Sequence, residues 1–518
     1  MKVPHQGPSP RYNRIRGRVR IFLVDVRDPR YSSARPGAAR RNGRVRILGF
    51  PPLGIMTLSA VLKRAGHEVV LFDLANPATP AEAVVRETRR QRPALVGMSF
   101  LSTTSYPYAR ALARALRAAD PGVRLAFGGV FASENDALIL KQVPEIDFIG
   151  RGEGESLILD LAERRDDPST VEGLTWRDGG TVRRNPDRPL ERDLDRWPYP
   201  DREGLDLDYL ESMPLDVPAV LSTERFTTVQ TSRGCPFGCA FCDIPGFSRR
   251  TWRARSPGHV LGELRELRRQ GYESVYFIDD HFLIQPGRVE AICKGILAGG
   301  IPIRWGCEGR VDSACRDLFP LMARAGCRTL MFGVESGCQK TLDRLRKGQS
   351  LEEIADAVRA AKRAGIEIVH GFFVVGCPGE TEADMKESFR LAARLPLDSF
   401  AFNRLCVYRG TPLWAQYVRR GLLDDARDWY KFIKCSAVDP TVLPGEEVHR
   451  IRSRELRKLI LHRFARFPAQ TFRLLRRFAR HMSPGDVIRL LTKPFLGKKK
   501  GATEAEVLSQ SVVPEGPA

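Results

Sequence analysis

The chain has 518 residues, a formal net charge of +21, 42% hydrophobic and 28% charged residues, a balance that supports buried cores and excludes a collagen-like or wholly disordered chain. No apolar run reaches the ~18 residues of a membrane-spanning helix, and the first residues lack the apolar stretch of a secretory leader. At ~150 residues per domain, the length predicts three or four domains.

Residues 1–18 read as a basic arm, and residues 1–46 hold 13 Lys and Arg against 2 acids. From 19 to 165, strand-like runs alternate with helical spacing. VRIFLVDV (19–26), HEVVLFDL (67–74), ALVGMSF (94–100), VRLAFGG (123–129) and IDFIG (146–150) predict strands. Helical patterns fall near 54–66, 80–91, 105–119 and 132–142. Such alternation predicts an α/β domain with a doubly wound, Rossmann-like parallel sheet. These sheets bind ligands beyond the carboxyl ends of their strands, where this chain places Ser99, Ser102, Gly128 and Gly129. Small residues there allow a bulky ligand to approach the backbone.

Residues 166–225 break the pattern. Asp178-Gly179-Gly180 is a hairpin signal and RWPYPDREGLDLDYL is rich in Pro and Asp, so this stretch reads as a linker packed between domains. A second α/β block spans 226–425. Its six strand candidates begin at 226, 274, 303, 329, 366 and 398, with helical patterns between them. Six β/α units predict a partial parallel barrel, short of the eight of a closed one, with its chemistry at the strand ends. Residues 426–500 read as a helical, basic region, with 16 Lys and Arg against 2 acids between 450 and 500. LRKLILHRFARFPAQTFRLLRRFARHM has basic amphipathic spacing, which suits either an anionic membrane surface or docking on the protein's own core with arginines outward. Residues 501–518 read as a disordered tail.

Beyond the first barrel strand stands Arg233-Gly-Cys235-Pro-Phe-Gly-Cys239-Ala-Phe-Cys242, a C-x3-C-x2-C loop folded tightly by glycine and proline. Three thiolates in eight residues converge on one centre, and thiolates are the usual ligands of iron–sulfur clusters. A four-iron cluster held by three cysteines leaves one iron open to an external ligand. Structural zinc, which takes four closed ligands, and three unrelated buried thiols are the competing readings. The chain has 11 cysteines, an odd count without an export signal, which favours reduced thiols. Cys307 and Cys377, at strand ends, read as core residues with some chance of facing the site.

This motif, at the end of a first barrel strand, resembles the radical S-adenosylmethionine (SAM) superfamily. The resemblance implies a 4Fe-4S cluster on Cys235, Cys239 and Cys242, SAM chelated at the open iron, and reductive cleavage of SAM to a 5′-deoxyadenosyl radical. It also implies that Phe241 packs near the adenine, and that Asp279, Glu308, Glu335 and Ser336 hold the methionine and ribose groups of SAM. The superfamily's usual Gly-Gly-Glu after the second strand is replaced by Ile278-Asp279-Asp280-His281. Gly376-Cys-Pro-Gly-Glu380 also resembles the superfamily and is expected to shape a loop.

With the barrel so identified, Pro51-Pro-Leu-Gly-Ile-Met, Gly128-Gly129 and Arg151-Gly-Glu-Gly-Glu155 resemble the cobalamin-binding domain that precedes the barrel in B12-dependent radical SAM proteins. Ser99, Ser102, Gly128 and Gly129 are then expected to contact cobalamin. The D-x-H-x-x-G of many cobalamin-binding domains is absent. The first strand ends Asp25-Val-Arg27-Asp-Pro-Arg30 and offers no histidine to cobalt.

The resemblance implies a C-methyltransferase acting on an unactivated carbon of a lipid, tetrapyrrole or other secondary metabolite. Its rival is an oxidative cyclase or hydroxylase of the anaerobic Mg-protoporphyrin monomethyl ester cyclase type. A methylthiotransferase would need a further cysteine triad near the N-terminus, and no cysteine precedes Cys235. A non-catalytic cobalamin-dependent sensor is the alternative of another class, but it would not need the triad. The expected partners are a small, hydrophobic substrate and a flavodoxin- or ferredoxin-type electron donor, with peripheral membrane contact through 450–500. No nucleic acid is expected, and the expected location is cytoplasmic or membrane-associated.

Overall fold

The computed structural model describes residues 17–27, 40–41, 44–45, 47–48, 50–76, 78–207, 210–211 and 225–468. Most of the basic arm at 1–18, the latter part of the basic region and the tail at 501–518 lie outside the described residues.

The N-terminal domain is built from β1 (Arg20–Asp25), α1 (Leu53–Arg64), β2 (Glu68–Asp73), α2 (Ala81–Gln91), β3 (Leu95–Ser99), α3 (Tyr106–Ala119), β4 (Arg124–Gly128), α4 (Val130–Glu134), α5 (Asp136–Gln142), β5 (Phe148–Gly150) and α6 (Gly154–Arg164). The strands pair in the order β5-β4-β3-β1-β2, all parallel. Buried parallel strands are apolar on both faces. In β1, Phe22 and Val24 enter one core with α3, while Ile21 and Leu23 enter the other with α1 and α6. The order reverses between β1 and β3, where such sheets open a ligand crevice.

The expected linker is partly sheet. β6 (Leu174–Asp178) and β7 (Thr181–Arg184) form an antiparallel hairpin that extends the first sheet along β5. The hairpin signal at Asp178-Gly179-Gly180 was sound, but the segment belongs to the N-terminal sheet because Leu174 and Thr175 are fully buried there.

The second domain runs β8 (Phe226–Val229), α7 (Pro257–Arg269), β9 (Ser274–Phe277), α8 (Pro286–Ala298), β10 (Arg304–Gly309), α9 (Phe319–Arg324), β11 (Cys327–Glu335), α10 (Gln339–Arg344), α11 (Leu351–Arg363), β12 (Ile368–Val375), α12 (Glu382–Arg394) and β13 (Ser399–Arg404). Its six strands pair in sequence order and in parallel, as a partial barrel does. Helix starts are set locally. Ser350 with Glu353 and Thr381 with Asp384 form capping boxes on α11 and α12. The outer core between strands and helices includes Trp305, Phe332 and Phe373, while Tyr276 and Met331 make a separate cluster with Phe50, Ile278 and Phe372.

After α13 (Pro412–Arg419), Trp429 crosses into the core of the N-terminal domain, where its ring lies against Tyr106 and Phe131. The long helix α14 (Gly445–Arg466) docks on α12. Val448, Ile451 and Leu459 are buried, and Arg463 also turns inward to donate to the carbonyls of Ala392, Leu395 and Leu397. Leu461 and Phe464 remain exposed. No helix of the described residues is long and apolar enough to cross a membrane.

Candidate active site at the domain junction

The cysteine loop is anchored before it reaches its first thiol. Asp279, just beyond β9, accepts from the Thr231 backbone N–H (2.5 Å), the Thr231 hydroxyl (2.5 Å) and the Ser232 hydroxyl (2.6 Å). Asp280 accepts from the Gly234 N–H at 2.7 Å. Gly234 takes φ +87°, and a Cβ there would stand 2.2 Å from the Thr251 carbonyl oxygen, so only glycine lets the chain turn against that segment. Cys235, Cys239 and Cys242 follow, none in a disulfide.

The three thiols influence one another, and burial pushes the Cys235 thiol up and that of Cys242 up to about 12. A metal centre takes cysteines as thiolates, so binding one here would release the thiol protons. A permanent cation stands ready to offset that charge. Arg310, buried at the end of β10, places Nη1 3.7 Å from Cys239 Sγ and lies 3.9 Å over the Phe237 ring. Asp312 (2.9 and 2.7 Å) and the Lys347 carbonyl (2.5 Å) fix its fork. Among the described residues, no three Cys, His, Asp or Glu are drawn together tightly enough to hold one metal ion. Three cysteine thiols in one loop, beside a buried cation, are a donor set whose chemistry fits an iron–sulfur cluster.

The other residues expected to contact SAM divide. Phe241 is half-buried against the barrel core. Glu308 and Glu335 stand near the ends of adjacent strands. Burial first, then Asp280 and Glu335, lifts the Glu308 carboxyl above its ordinary range, although it accepts from the Tyr276 hydroxyl at 2.9 Å. Glu335 occupies a left-handed conformation (φ +63°) at a register shift in β11, and its carboxylate meets buried Lys347 at 2.8 Å. A bulge of this kind re-aims a side chain. Two of the residues expected to contact SAM are engaged by the chain itself. Asp279, read as a SAM ligand, has donors on both oxygens and is 2% exposed, so it anchors the loop. Ser336 is fully buried, accepts from the Cys338 N–H (3.1 Å) and lies 3.2 Å from the Ser388 hydroxyl, so it shapes the turn into α10. Cys307 and Cys377 are fully buried in the outer core.

Arg310 and Lys347 escaped the sequence reading. Arg310 follows Glu308-Gly309 and was within reach of the strand-end rule, whereas nothing local singles out Lys347, twelve residues beyond its partner.

On the N-terminal sheet, Ser99 and Gly128 lie at adjacent strand ends, Gly129 follows Gly128, and Ser102 stands in the β3–α3 loop. Ser99 pairs in register with Asp25 on one side and Gly128 on the other, which sets it at the reversal of strand order. The Ser102 hydroxyl bonds Thr104 (3.0 Å) and Ser105 (3.3 Å) ahead of α3. Gly129 (φ +99°) would put a Cβ 2.4 Å from the Phe100 carbonyl oxygen, so glycine lets the two loops close up. A Cβ on Gly128 would meet nothing within 4 Å. Gly129 thus permits a close contact between the two loops, while the space above Gly128 stays open.

The two sites share a border. Arg233 donates to Glu153 (3.2 Å) and to Glu155, and Arg253 donates to Glu153 (2.9 Å), which ties the cysteine loop to the β5–α6 loop. The neighbouring carboxylates hold the Arg233 guanidinium above its ordinary range despite burial. On the far side, Leu413 N–H donates to the Ala240 carbonyl (2.9 Å), while Arg409 reaches the Glu134 carbonyl and Asn135 Oδ1. A cavity of about 340 Å³ between the domains is lined by Glu134, Gly152, Glu153, Phe247 and Gly410 among others.

The family model of the radical SAM superfamily matches residues 229–392, and that of the B12 binding domain matches 47–162. An uncharacterized methyltransferase of Pyrococcus horikoshii is 29% identical over 82% of this chain and 89% of its own. The anaerobic magnesium-protoporphyrin IX monomethyl ester cyclase of Rubrivivax gelatinosus is 28% identical over 82% of this chain and 77% of its own. Among solved structures, the radical SAM methyltransferase TsrM of Kitasatospora setae, with cobalamin and a [4Fe-4S] cluster bound, shares the fold at a TM-score of 0.63 and 18% identity, over 78% of this chain and 75% of that one.

Proposed function

We infer, for a chain that belongs to the radical SAM proteins carrying a B12-binding domain, that it is a C-methyltransferase acting on an unactivated carbon of a small hydrophobic molecule. The observation that supports this most is the ionic tie of Arg233 to Glu153 and Glu155, which sets the cysteine loop beside the B12-binding edge. Methyl transfer to an inert carbon needs both cofactors to face one space, and a fixed border supplies that proximity. When bound, the 4Fe-4S cluster supplies the electron that cleaves SAM, and the corrin serves as methyl carrier. Cys235, Cys239 and Cys242 would hold the cluster, with Arg310 offsetting its negative charge. Phe241 would flank the adenine, and Glu308 and Glu335 would accept hydrogen bonds from SAM. Ser99, Ser102, Gly128 and Gly129 would seat the corrin.

Relatives named as methyltransferases support this reading. They include the hopanoid C-3 methylase of Methylococcus capsulatus, 26% identical over 78% of this chain. The cyclase relatives support a second reading, radical oxidation with ring closure. Anaerobic reconstitution with iron, sulfide, cobalamin and SAM tests both. Formation of 5′-deoxyadenosine together with S-adenosylhomocysteine is expected. Deoxyadenosine alone would select oxidation, and failure to bind iron and sulfide would overturn both readings.

A flavodoxin- or ferredoxin-type protein would deliver the electron. Leu461 and Phe464, exposed on an arginine-rich helix, support contact of this region with an anionic membrane by a protein that otherwise acts in the cytoplasm. Co-sedimentation with phosphatidylserine vesicles at low salt, lost at high salt, is expected, and indifference to the vesicles would remove that part of the reading.

A further inference from the structure

Among the described residues, Arg310 is the one charged side chain that donates to a sulfur of the cysteine triad, from Nη1 to Cys239 Sγ at 3.7 Å. The cations nearest to it are engaged elsewhere. Lys347 holds Glu335 at 2.8 Å, and Arg233 holds Glu153 and Glu155. His281, whose ring lies 5.9 Å from that of Phe237, stays uncharged, because burial first and Arg310 next lower its proton affinity to about 4.

The Arg310 guanidinium is also oriented. Nε (2.9 Å) and Nη2 (2.7 Å) form a fork on Asp312, and Nη2 donates as well to the Lys347 carbonyl. That fork takes one edge of the planar group and leaves Nη1 on the other side, toward the sulfur. The pair therefore points its positive end at Cys239 and its negative end away from it. Phe237 covers the guanidinium at 3.9 Å, and the Arg310 side chain is 7% exposed, so little water screens it. A charge in such surroundings acts more strongly than the same charge in water.

Reduction by one electron adds a negative charge to a cluster whose cysteine ligands are already anionic. A cation beside a thiolate favours the reduced state, and an acid close by opposes it. Net charge, hydrogen bonds to sulfur and solvent exposure are what set such potentials within one cluster type.

We propose that Arg310 and Asp312 together set the reduction potential of the cluster on Cys235, Cys239 and Cys242, with Arg310 raising it and Asp312 holding that rise in check. This rests on the reading of the triad as cluster ligands and adds two positioning residues to it, which act through the electrostatic potential at Cys239. The electron comes from the flavodoxin- or ferredoxin-type donor, and no bond at the cysteines is made or broken as it arrives.

The test needs neither SAM nor substrate. Wild type, Arg310→Gln, Arg310→Lys and Asp312→Asn are reconstituted anaerobically and assayed for iron and sulfide per chain. Each is then titrated with dithionite and mediator dyes while electron paramagnetic resonance follows the reduced cluster. Arg310→Gln is expected to lower the ratio of reduced to oxidised cluster about tenfold at a given potential, which places its midpoint about 59 mV more negative. Arg310→Lys, which keeps the charge but not the fork, is expected to fall between Arg310→Gln and wild type. Asp312→Asn is expected to move the midpoint in the opposite, positive direction. Unchanged midpoints at full iron and sulfide content overturn the proposal. Shifts of one sign in Arg310→Gln and Asp312→Asn overturn it too, since a general disturbance of the loop would not separate the two charges. Should Arg310→Gln take up no cluster, failure of Asp312→Asn to raise the midpoint overturns it alone. A wild type that binds no iron and sulfide would instead sink the reading of the triad, and this inference with it.

Discussion

Gly234→Ala probes whether the cysteine loop depends on its tight turn. Gly234 has φ +87°, and an added Cβ would stand 2.2 Å from the Thr251 carbonyl oxygen and 2.7 Å from Ser248 Cβ. A left-handed backbone at a residue with a Cβ costs about 1–2 kcal/mol, and forcing a buried contact costs about 1–3 kcal/mol. The sum is about 3 kcal/mol, on the order of a hundredfold in the population of the correctly folded loop. Because Gly234 also donates to Asp280, relief by backbone movement would break that bond and displace Cys235. Gly238→Ala is the control inside the same loop. Its Cβ would meet the far end of the Arg250 side chain at 3.2 Å, which can swing away. Both variants are reconstituted anaerobically, and iron and acid-labile sulfide per chain are measured beside the urea midpoint. Gly238→Ala should match wild type, whereas Gly234→Ala should lose most of its iron and sulfide and unfold earlier. Equal cluster content and equal midpoints in the two variants would refute the reasoning.

On the B12-binding edge, Gly128→Val should leave the unfolding midpoint unchanged and abolish cobalamin retention on gel filtration, because its side chain would fill space open to a ligand. Gly129→Ala, at φ +99° and 2.4 Å from the Phe100 carbonyl, should instead lower the midpoint. Glu155→Gln should destabilise the domain junction by about 3 kcal/mol, since removing one partner of a buried ion pair leaves the other charge poorly matched. Urea unfolding of Glu155→Gln, Arg233→Met and the double variant should show strong non-additivity. Additive effects would mean that the bridge carries no coupling. Glu380, buried beneath the β12–α12 loop, has its carboxyl pushed up to about 7 by burial, although it accepts from the Gly376 and Cys377 N–H groups. The folded state therefore holds a proton that the unfolded state releases near pH 4.5, so stability should fall as pH rises from 4.5 to about 7 and then level off. Glu380→Gln should remove that fall, as read from urea midpoints across this range.

The barrel and the first sheet were legible because a buried parallel strand must be apolar on both faces, a demand that VRIFLVDV, SVYF and IVHGFFVV each meet in their own residues. The cysteine motif was legible because its ligands and its turn-forming glycines are contiguous. Pairings between distant segments were not. A carboxylate at a strand end suits a ligand's ammonium and a loop's N–H groups equally well. Asp279 therefore looked like a SAM contact until its three donors were found on Thr231 and Ser232. Trp429 is an apolar residue in a polar stretch, and nothing near it in sequence says that its cavity lies between Tyr106 and Phe131. Of the two readings of the basic amphipathic stretch, docking on the protein's own core placed its arginines outward. Arg463 turns inward, where its guanidinium donates to the carbonyl of Ala392 in the last turn of α12 and to those of Leu395 and Leu397 just beyond it.

These long-range pairings bear directly on the chemistry. The two halves are clamped at separate points, by Arg233 and Arg253 on Glu153 and Glu155, and by Arg409 and Trp429 against α3, α4 and Asn135. One clamp arises two residues before Cys235. The other is joined to the same loop through the bond from Leu413 to Ala240. A single hinge would let the B12-binding edge swing relative to the thiols, whereas two attachments on either side of the loop resist rotation. The folded chain thereby ties the cysteine loop to the B12-binding sheet at both points. A methyl carrier and a radical source held at fixed separation suit a reaction in which a short-lived substrate radical must meet its partner before water or protein does.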